Sequence, residues 1–197
     1  MTLRRASGRR SVPGRRSVPG RHAERGQSMV EFALILPLFI IILLGLLEFG
    51  SAYDHRNAMA YAVREGARVG ASLGSGGTSS STVDPTIVAA VRRGLTDPIL
   101  IENIASIEIF KADTNGAPIA GKVNTFDHTG AAVGAPGWPA STRVAGINGD
   151  MLGVRVVYEF RPTTPLAAML ALLVNPVPPY EVIRMTDALV MKLEPTP

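Results

Sequence analysis

The sequence predicts an α+β protein: a long N-terminal helix crosses a membrane and continues outside it, and a small antiparallel sheet with one or two short helices follows. One observation is an unbroken run of apolar, Gly and Pro residues from Phe32 to Leu47. The other is three later segments that alternate apolar and polar residues, as half-buried strands do. The predicted organisation is a basic disordered cytoplasmic leader (1–26), the membrane helix with its outer extension (27–73), a Gly/Ser linker (74–83) and an extracytoplasmic α+β domain (84–197).

The leader, residues 1–26, is strongly basic and repetitive. It carries eight arginines and one glutamate, so its net charge exceeds the +4 of the whole chain and the remainder is net acidic. The hexapeptide Arg9-Arg-Ser-Val-Pro-Gly14 is repeated at once as Arg15-Arg-Ser-Val-Pro-Gly20. Such low complexity predicts a disordered tail. It is either attracted to the anionic inner leaflet or only a topology determinant that is later removed. No nucleic-acid partner is expected, because the tail has no interleaved aromatic residue.

The apolar block has the length of one membrane span. Phe32 to Leu47 makes about 24 Å of helix, and the wider segment from Val30 to Ala52 makes about 34 Å, enough for a hydrocarbon core of about 30 Å. Arginines are concentrated before the block and sparse after it, which predicts a cytoplasmic N-terminus. The expected localisation is the cell membrane, crossed once, with the C-terminal domain extracytoplasmic.

Two glutamates flank the block. Glu31 and Glu48 are expected near the two membrane faces, where they avoid the roughly 2.5–3.5 kcal/mol cost of an acid at the bilayer centre. Phe49 and Tyr53 then fall in the outer aromatic belt. A cleaved secretory signal is the alternative, because Gly50-Ser-Ala52 is a passable cleavage site. Against it, the block exceeds the usual length of about 7–15 residues and continues into a helical pattern.

Three motifs within residues 26–68 point to one family. They are Gly26-Gln-Ser-Met-Val-Glu-Phe-Ala-Leu-Ile-Leu-Pro37, Gly45-Leu-Leu-Glu-Phe-Gly50 and Asn57-Ala-Met-Ala-Tyr-Ala-Val-Arg-Glu-Gly-Ala-Arg68. Together they resemble the TadE-like family of pseudopilins, in strong form over residues 26–71. The last motif supplies the family pattern that follows the membrane, with Arg64, Glu65, Gly66 and Arg68.

The resemblance implies a pilin-like, membrane-anchored structural component of the Tad apparatus, which builds the Flp type of type IV pilus used in surface adherence, or of a related secretion complex. The implied partners are the membrane, other pilin-like subunits, the Tad assembly platform and a prepilin peptidase that cuts between Gly26 and Gln27. The family often has Tyr after the glutamate, where this chain has Phe32. An unprocessed membrane anchor is therefore the alternative.

The residues around the implied cleavage point have chemistry of their own. Gln27 and Glu31 are four residues apart, so they share a face of a helix, and Glu31 could neutralise an ammonium on Gln27 in the same or a neighbouring subunit. Such pairing would set the register of helices packed side by side. The alternative is that Glu31 only reaches toward the membrane interface. Pro37 removes one backbone hydrogen bond and is expected to bend the helix.

Beyond the membrane the helical pattern continues with two distinct faces. One face is apolar and small, with Met59, Val63, Gly66, Ala67 and Gly70, and the other is polar, with Asn57, Tyr61, Arg64, Glu65 and Arg68. The glycines at 66, 70 and 74 recur every four positions. This spacing predicts close approach of another helix or of a sheet.

The outer domain is predicted from short local patterns. Asp84 and Pro85 indicate the N-cap and first turn of a helix that ends near Leu95. The apolar stretch 164–174 predicts a short helix, packed on the sheet or lying at the membrane interface. The region 122–149, which contains the single Trp138, is predicted to be a long exposed loop. The predicted strands are Ile104–Phe110, Val154–Phe160 and Ile183–Leu193.

Neither an enzyme nor a cofactor, metal or small-molecule substrate is expected. Gly70-Ala-Ser-Leu-Gly74 has the spacing of a nucleophile elbow but follows a helix instead of a strand. The three histidines lack ligand spacing, there is no cysteine, and Asp113, Asp127 and Asp150 are predicted to be ordinary loop acids. The functional alternative to a pseudopilin is a generic membrane-tethered extracytoplasmic binding module. An exported enzyme is a third.

Overall fold

The computed structural model describes residues 22–73, 80–95, 98–171 and 182–194. The leader up to residue 21 and the linker residues 74–79 lie outside this range. The fold is α+β, with one long N-terminal helix followed by a small antiparallel sheet and short helices, which confirms the predicted class. The elements are α1 (His22–Leu73), α2 (Ser80–Gly94), α3 (Pro98–Glu102), β1 (Ile104–Ala112), β2 (Pro118–Phe126), β3 (Ala132–Val133), β4 (Met151–Phe160), α4 (Leu166–Ala171) and β5 (Ile183–Lys192).

Helix α1 continues through Pro37 without interruption. The chain divides into two compact units, residues 1–40 and 41–197. Among the described residues, one segment, Gly26–Leu73, is a helix long and apolar enough to cross a membrane. Its apolar part is exposed in both units, at Met29, Val30, Phe32, Leu34, Ile35, Leu38, Phe39, Ile42, Leu43, Leu46 and Leu47.

The sheet has the strand order β3-β2-β1-β4-β5, and every neighbouring pair is antiparallel. Ile107 pairs with Val156, and Val154 pairs with Leu189. The three predicted strands correspond to β1, β4 and β5. Their alternation is confirmed for β1 and β4, where Ile107, Ile109, Val154, Val156, Tyr158 and Phe160 are all buried. In β5, Met185 and Leu189 are half-buried, whereas Ile183 and Met191 are exposed.

Strands β2 and β3 lie where the sequence predicted an exposed loop, so that prediction is wrong for 122–126 and 132–133. The inward residues of β2 are Asn124 and Phe126, which do not form an aliphatic alternation. Pro118 and Gly121 further lower the strand propensity of this segment. The predicted exposure of Trp138 is also wrong, because its side chain is only 1% exposed.

Helix α2 begins at Ser80, four residues before the predicted start. Asp84 therefore lies inside the helix and is not its N-cap, and Pro85 is tolerated within the helix. The Asp84 carboxylate instead binds Arg143 from the loop before β4. A contact distant in sequence thus replaces the local cap that the Asp-Pro pair predicted.

The core forms where the outer part of α1 and helix α2 pack on one face of the sheet. A methyl group on Gly66 would lie 2.4 Å from Val91 Cγ2 in α2, and one on Gly70 would lie 2.8 Å from Leu152 Cδ2 in β4. The predicted close approach is therefore confirmed, with a helix at Gly66 and with the sheet at Gly70. Gly74 lies outside the described residues.

Two turns in the sheet share the sequence pattern Asp-x-x-Gly-Ala and one geometry. Asp113-Thr-Asn-Gly-Ala117 joins β1 to β2, and Asp127-His-Thr-Gly-Ala131 joins β2 to β3. In each turn the aspartate carboxylate accepts hydrogen bonds from the amides two and four residues later, at 2.8–3.0 Å. Gly116 and Gly130 have positive φ values of 81° and 89°, which favour glycine. Asp113 and Asp127 are thus turn-forming residues, as predicted for loop acids.

Candidate functional site

The inner part of α1 carries the sequence-predicted assembly residues on an exposed helical surface. Gln27 Nε2 donates a hydrogen bond of 2.9 Å to Glu31 Oε1. The four-residue spacing therefore places the two side chains on one face, as predicted. Apolar side chains surround them, since Met29, Val30 and Phe32 are all more than half exposed. This surface combines one carboxylate with a large apolar area.

The motif after the membrane is divided between two faces of α1. Gly66 is buried against Val91, whereas Arg64 and Arg68 are exposed. Arg68 Nε and Nη2 donate to the two carboxylate oxygens of Glu65 at 2.9 and 2.7 Å. This bidentate pair lowers the pKa of Glu65 and raises the pKa of Arg68. The motif therefore combines a packing residue with a solvent-exposed ion pair.

The predicted site residues belong to two separate units. Gly26, Gln27, Glu31, Phe32 and Pro37 lie in the first unit. The motif from Arg64 to Arg68 lies in the second, where it helps to build the domain core and its surface. Within the described residues, the predicted site residues therefore do not line one common pocket.

Glu48 has a role that the sequence did not reveal. Its side chain is buried, and its carboxylate accepts hydrogen bonds from the backbone amides of Thr163 and Thr164, each at 3.0 Å, and from the Thr164 hydroxyl. These donors directly precede α4. We call this set of contacts the Glu48 clasp. Its only sequence signal is the Thr-Thr-Pro run before an apolar stretch, which resembles a capping sequence.

Beyond the clasp lies His55, about two turns of α1 farther along the helix. Its ring meets Tyr158 and Phe160 edge to face, with centroids 5.8 and 5.4 Å apart. The Tyr158 hydroxyl lies 3.2 Å from His55 Nδ1. His55 thus packs α1 against β4 and has no metal-ligating arrangement around it.

A second buried polar cluster anchors the loop before β4. The Arg143 side chain is fully buried, and its Nη2 lies 2.6 Å from Asp84 Oδ1. Its guanidinium also covers the Trp138 ring at 4.5 Å from the centroid and donates to the Trp138 carbonyl at 3.1 Å. Asn124 Nδ2 binds Asp84 Oδ2 and the same carbonyl, at 2.7 and 2.8 Å. We call this set the Arg143 cluster.

The described residues contain no group of three or more His, Cys, Asp or Glu side chains that could hold a metal ion. An open cavity of about 340 Å³ lies on the polar face of α1, between Tyr61, Arg68 and Met191 of β5. Its lining also includes Arg64, Leu189 and Glu65, whose carboxylate is paired with Arg68. The geometry in this part of the chain is that of a packing and anchoring surface.

Comparison with known proteins gives one match. Residues 26–68 match the family model described as TadE-like protein. The matched segment begins at Gly26 and ends at Arg68, so it covers the apolar block and the motif after it but not the sheet. No curated protein and no solved structure matches the chain.

Proposed function

Since residues 26–68 are TadE-like, we propose that this protein is a pseudopilin: a single-pass, membrane-anchored structural component of Tad pilus assembly or of a related secretion complex. The family match and the apolar helix support the coarser statement, a membrane-anchored protein associated with the Tad pilus. The observation that carries the proposal is that two parts of α1 have different surroundings. Its segment before Glu48 is apolar and exposed, whereas its segment from Met59 to Ala71 is part of the domain core.

This difference along α1 argues against a cleaved secretory signal. Helix α1 runs unbroken through Gly50-Ser-Ala52. Cleavage after Ala52 would separate Glu48 from Thr163 and Thr164, to which it is hydrogen bonded within the second unit. Cleavage would therefore remove the acceptor of both backbone hydrogen bonds that precede α4. The helix is better suited to remain as an anchor.

The proposed processing step is hydrolysis of the Gly26–Gln27 peptide bond by a prepilin peptidase. The step leaves a carboxylate on Gly26 and a new ammonium group on Gln27. Glu31 already lies within reach of the Gln27 side chain, one helical turn away. An unpaired carboxylate among exposed apolar side chains is costly in a membrane, so pairing with an ammonium, in the same or a neighbouring subunit, is favourable.

The proposed partners follow from the exposed apolar surface of α1. In a membrane, other helices of similar character can pack against it through van der Waals contacts, and Glu31 can fix their register. These partners are other pilin-like subunits and the Tad assembly platform. The proposed orientation, with a cytoplasmic N-terminus, follows from the arginines of the leader.

N-terminal sequencing of protein extracted from membranes tests the proposal. A chain that begins at Gln27 supports processing as a pseudopilin. A chain that begins at Tyr53 indicates a released secretory protein and overturns the proposal. An intact N-terminus favours the alternative, a membrane-tethered binding module, and Glu31 would then have no ammonium to neutralise. Recovery of the whole protein from the soluble extract would contradict both anchored forms.

A further inference from the structure

Where α1 leaves the apolar block, the second unit exposes large apolar side chains. Leu46, Leu47, Phe49 and Tyr53 of α1 are between 60% and 72% exposed. The Phe49 and Tyr53 rings stack with centroids 6.5 Å apart. Ile183, at the start of β5, is also exposed and lies across a cavity from Phe49. A contiguous surface of this kind marks an interaction site on an otherwise soluble domain.

Helix α4 lies at the same level. Its sequence, Leu166-Ala-Ala-Met-Leu-Ala171, has no polar side chain. Leu166 lines a cavity of about 250 Å³ together with Gly45 and Phe49 of α1. Gly45 is inside the apolar block, three residues or about 4.5 Å of helix before Glu48. The beginning of α4 is therefore level with the outermost turn of the membrane-spanning segment.

The Glu48 clasp fixes the level of α4 along α1. Two backbone amides and one hydroxyl satisfy the carboxylate, so Glu48 can lie at a membrane boundary without an exposed, unpartnered charge. The same three bonds hold the loop before α4 against α1. The depth of α4 thus depends on contacts within the second unit.

Exposed cations border this apolar surface. Arg161 follows β4, and Arg184 follows Ile183 in β5. Both are about two-thirds exposed, and their Nη2 atoms lie 3.9 and 3.2 Å from Glu159 carboxylate oxygens. Arginines at this level can reach the phosphates of lipid headgroups while the apolar residues beside them enter the membrane.

We propose that α4 and the exposed face of α1 from Leu46 to Tyr53 form a membrane foot, which inserts into the interfacial region of the extracytoplasmic leaflet. The occupant is lipid, because the surface is continuous with the apolar block on the same helix. This inference rests on the proposed membrane anchor. Interfacial helices bury their apolar side about 5–10 Å into the headgroup and acyl boundary, and aromatic rings concentrate there. The foot holds the base of the sheet on the membrane surface.

Fluorescence quenching by lipid tests the foot directly. The chain has no cysteine, so single variants can each carry one environment-sensitive label. Ala168→Cys places the label on the exposed side of α4, with Met169→Cys as a second position on the same helix. Leu46→Cys is the positive control for insertion of α1. Asn148→Cys is the negative control, because it is exposed beside Ile147, whose carbonyl binds Lys192 at the opposite end of β5 from Ile183.

The labelled full-length proteins are reconstituted into vesicles of phosphatidylcholine and phosphatidylglycerol with acyl-chain bromination. Emission of the buried Trp138 confirms that each variant is folded. We expect quenching at position 168 to approach that at 46 and to exceed that at 148 several-fold. Equal quenching at 168 and 148, with strong quenching at 46, would overturn the foot and leave the anchor intact. Absence of quenching at 46 would overturn the anchor itself, and the foot with it.

Discussion

At the scale of single residues, two of the carboxylates of α1, Glu31 and Glu48, have opposite environments. Glu48 is buried and accepts three hydrogen bonds, all from groups of its own unit. Glu31 is exposed and accepts one described hydrogen bond, from the neighbouring Gln27 amide. The Glu48 carboxylate therefore binds groups of its own fold, whereas the Glu31 carboxylate can accept further hydrogen bonds from a partner. Of these two carboxylates, only Glu31 is proposed to act in assembly.

We expect Glu31→Ala to reduce crosslinking of this protein to pilin-like partners in membranes several-fold, because a favourable charge pair is lost. Glu31→Gln keeps the shape and removes the charge, and should have a similar effect. Glu102→Ala, which removes an exposed acid of α3, is the matched control and should crosslink like wild type. Unchanged crosslinking in Glu31→Ala would refute the charge-pairing role.

Arg143 should be the most stabilising charged residue of the second unit. Arg143→Met leaves the Asp84 carboxylate without its cation in a largely buried position. Breaking such a pair costs about 3 kcal/mol, measurable as a lower midpoint of urea unfolding followed by circular dichroism in detergent. Arg64→Met, at an exposed site, should change the free energy of unfolding by less than about 0.5 kcal/mol. Similar losses in the two variants would mean that the Arg143 cluster is not stabilising.

Asp127 makes stability depend on pH. The Thr129 hydroxyl, which donates to the carboxylate at 2.6 Å, is the main cause that lowers its pKa, and the amides of Ala131 and Thr129 add to this effect. A carboxylate whose pKa is lower in the folded than in the unfolded state stabilises the fold above its unfolded pKa. That contribution is lost as the pH falls through the folded pKa.

We therefore expect wild type to be more stable than Asp127→Asn at pH 7, and the difference to shrink as the pH falls below the ordinary range of aspartate. Urea midpoints measured between pH 7 and pH 3 give this difference. Thr129→Ala removes the main donor and should flatten the same pH dependence. A difference that stays constant over the whole range would exclude a role for the Asp127 charge.

At the scale of elements, the pairing of α1 with α2 depends on glycine. A methyl group on Gly94 would lie 2.8 Å from the Cα atom of Ala62, so the backbones themselves would have to separate. Gly94→Ala should destabilise the second unit by about 1–3 kcal/mol. Gly50→Ala meets nothing within 4 Å and should be neutral or slightly stabilising, because alanine favours a helix. Thermal unfolding in detergent compares the two, and equal effects would contradict the close approach.

The elements also show what sequence patterns can predict. Helix α1 and strands β1, β4 and β5 were predictable because apolar periodicity recurs along each of them. Strand β2 was not, because one of its inward residues is Asn124, whose amide is satisfied only by Asp84 and Trp138, 40 and 14 residues away. The Glu48 clasp was not predicted for the same reason, because the Thr163 and Thr164 amides lie 115 and 116 residues from Glu48. Polar contacts that span the chain leave no local periodicity.

At the scale of the whole molecule, the last described residues of the second unit meet the outer end of α1. The Glu194 amide donates to the Ala71 carbonyl of α1 at 3.0 Å, and the Leu193 amide donates to the Asp150 carbonyl at 3.1 Å. The Leu193 side chain is almost fully buried. Residues near the C-terminus therefore complete a core that α1 begins.

A chain that stops after Lys192 should reach the membrane but have a protease-sensitive outer domain, because Leu193 no longer closes the core. Loss of a buried Leu costs about 2–5 kcal/mol. Limited proteolysis of membranes from cells that make either form tests this, and a chain that stops after Glu194 is the control. Equal protease resistance of the shorter and longer chains would contradict the closing role.

The contact between Glu194 and Ala71 also has a consequence for biogenesis. Helix α1 precedes every strand of the sheet in the chain, so it is synthesised before them. Until Leu193 and Glu194 follow β5, the Ala71 carbonyl lacks its Glu194 partner and the core lacks the buried Leu193 side chain. We therefore expect the core of the second unit to close only after β5 and these two residues are made, and a chain that lacks them to be more open to proteases.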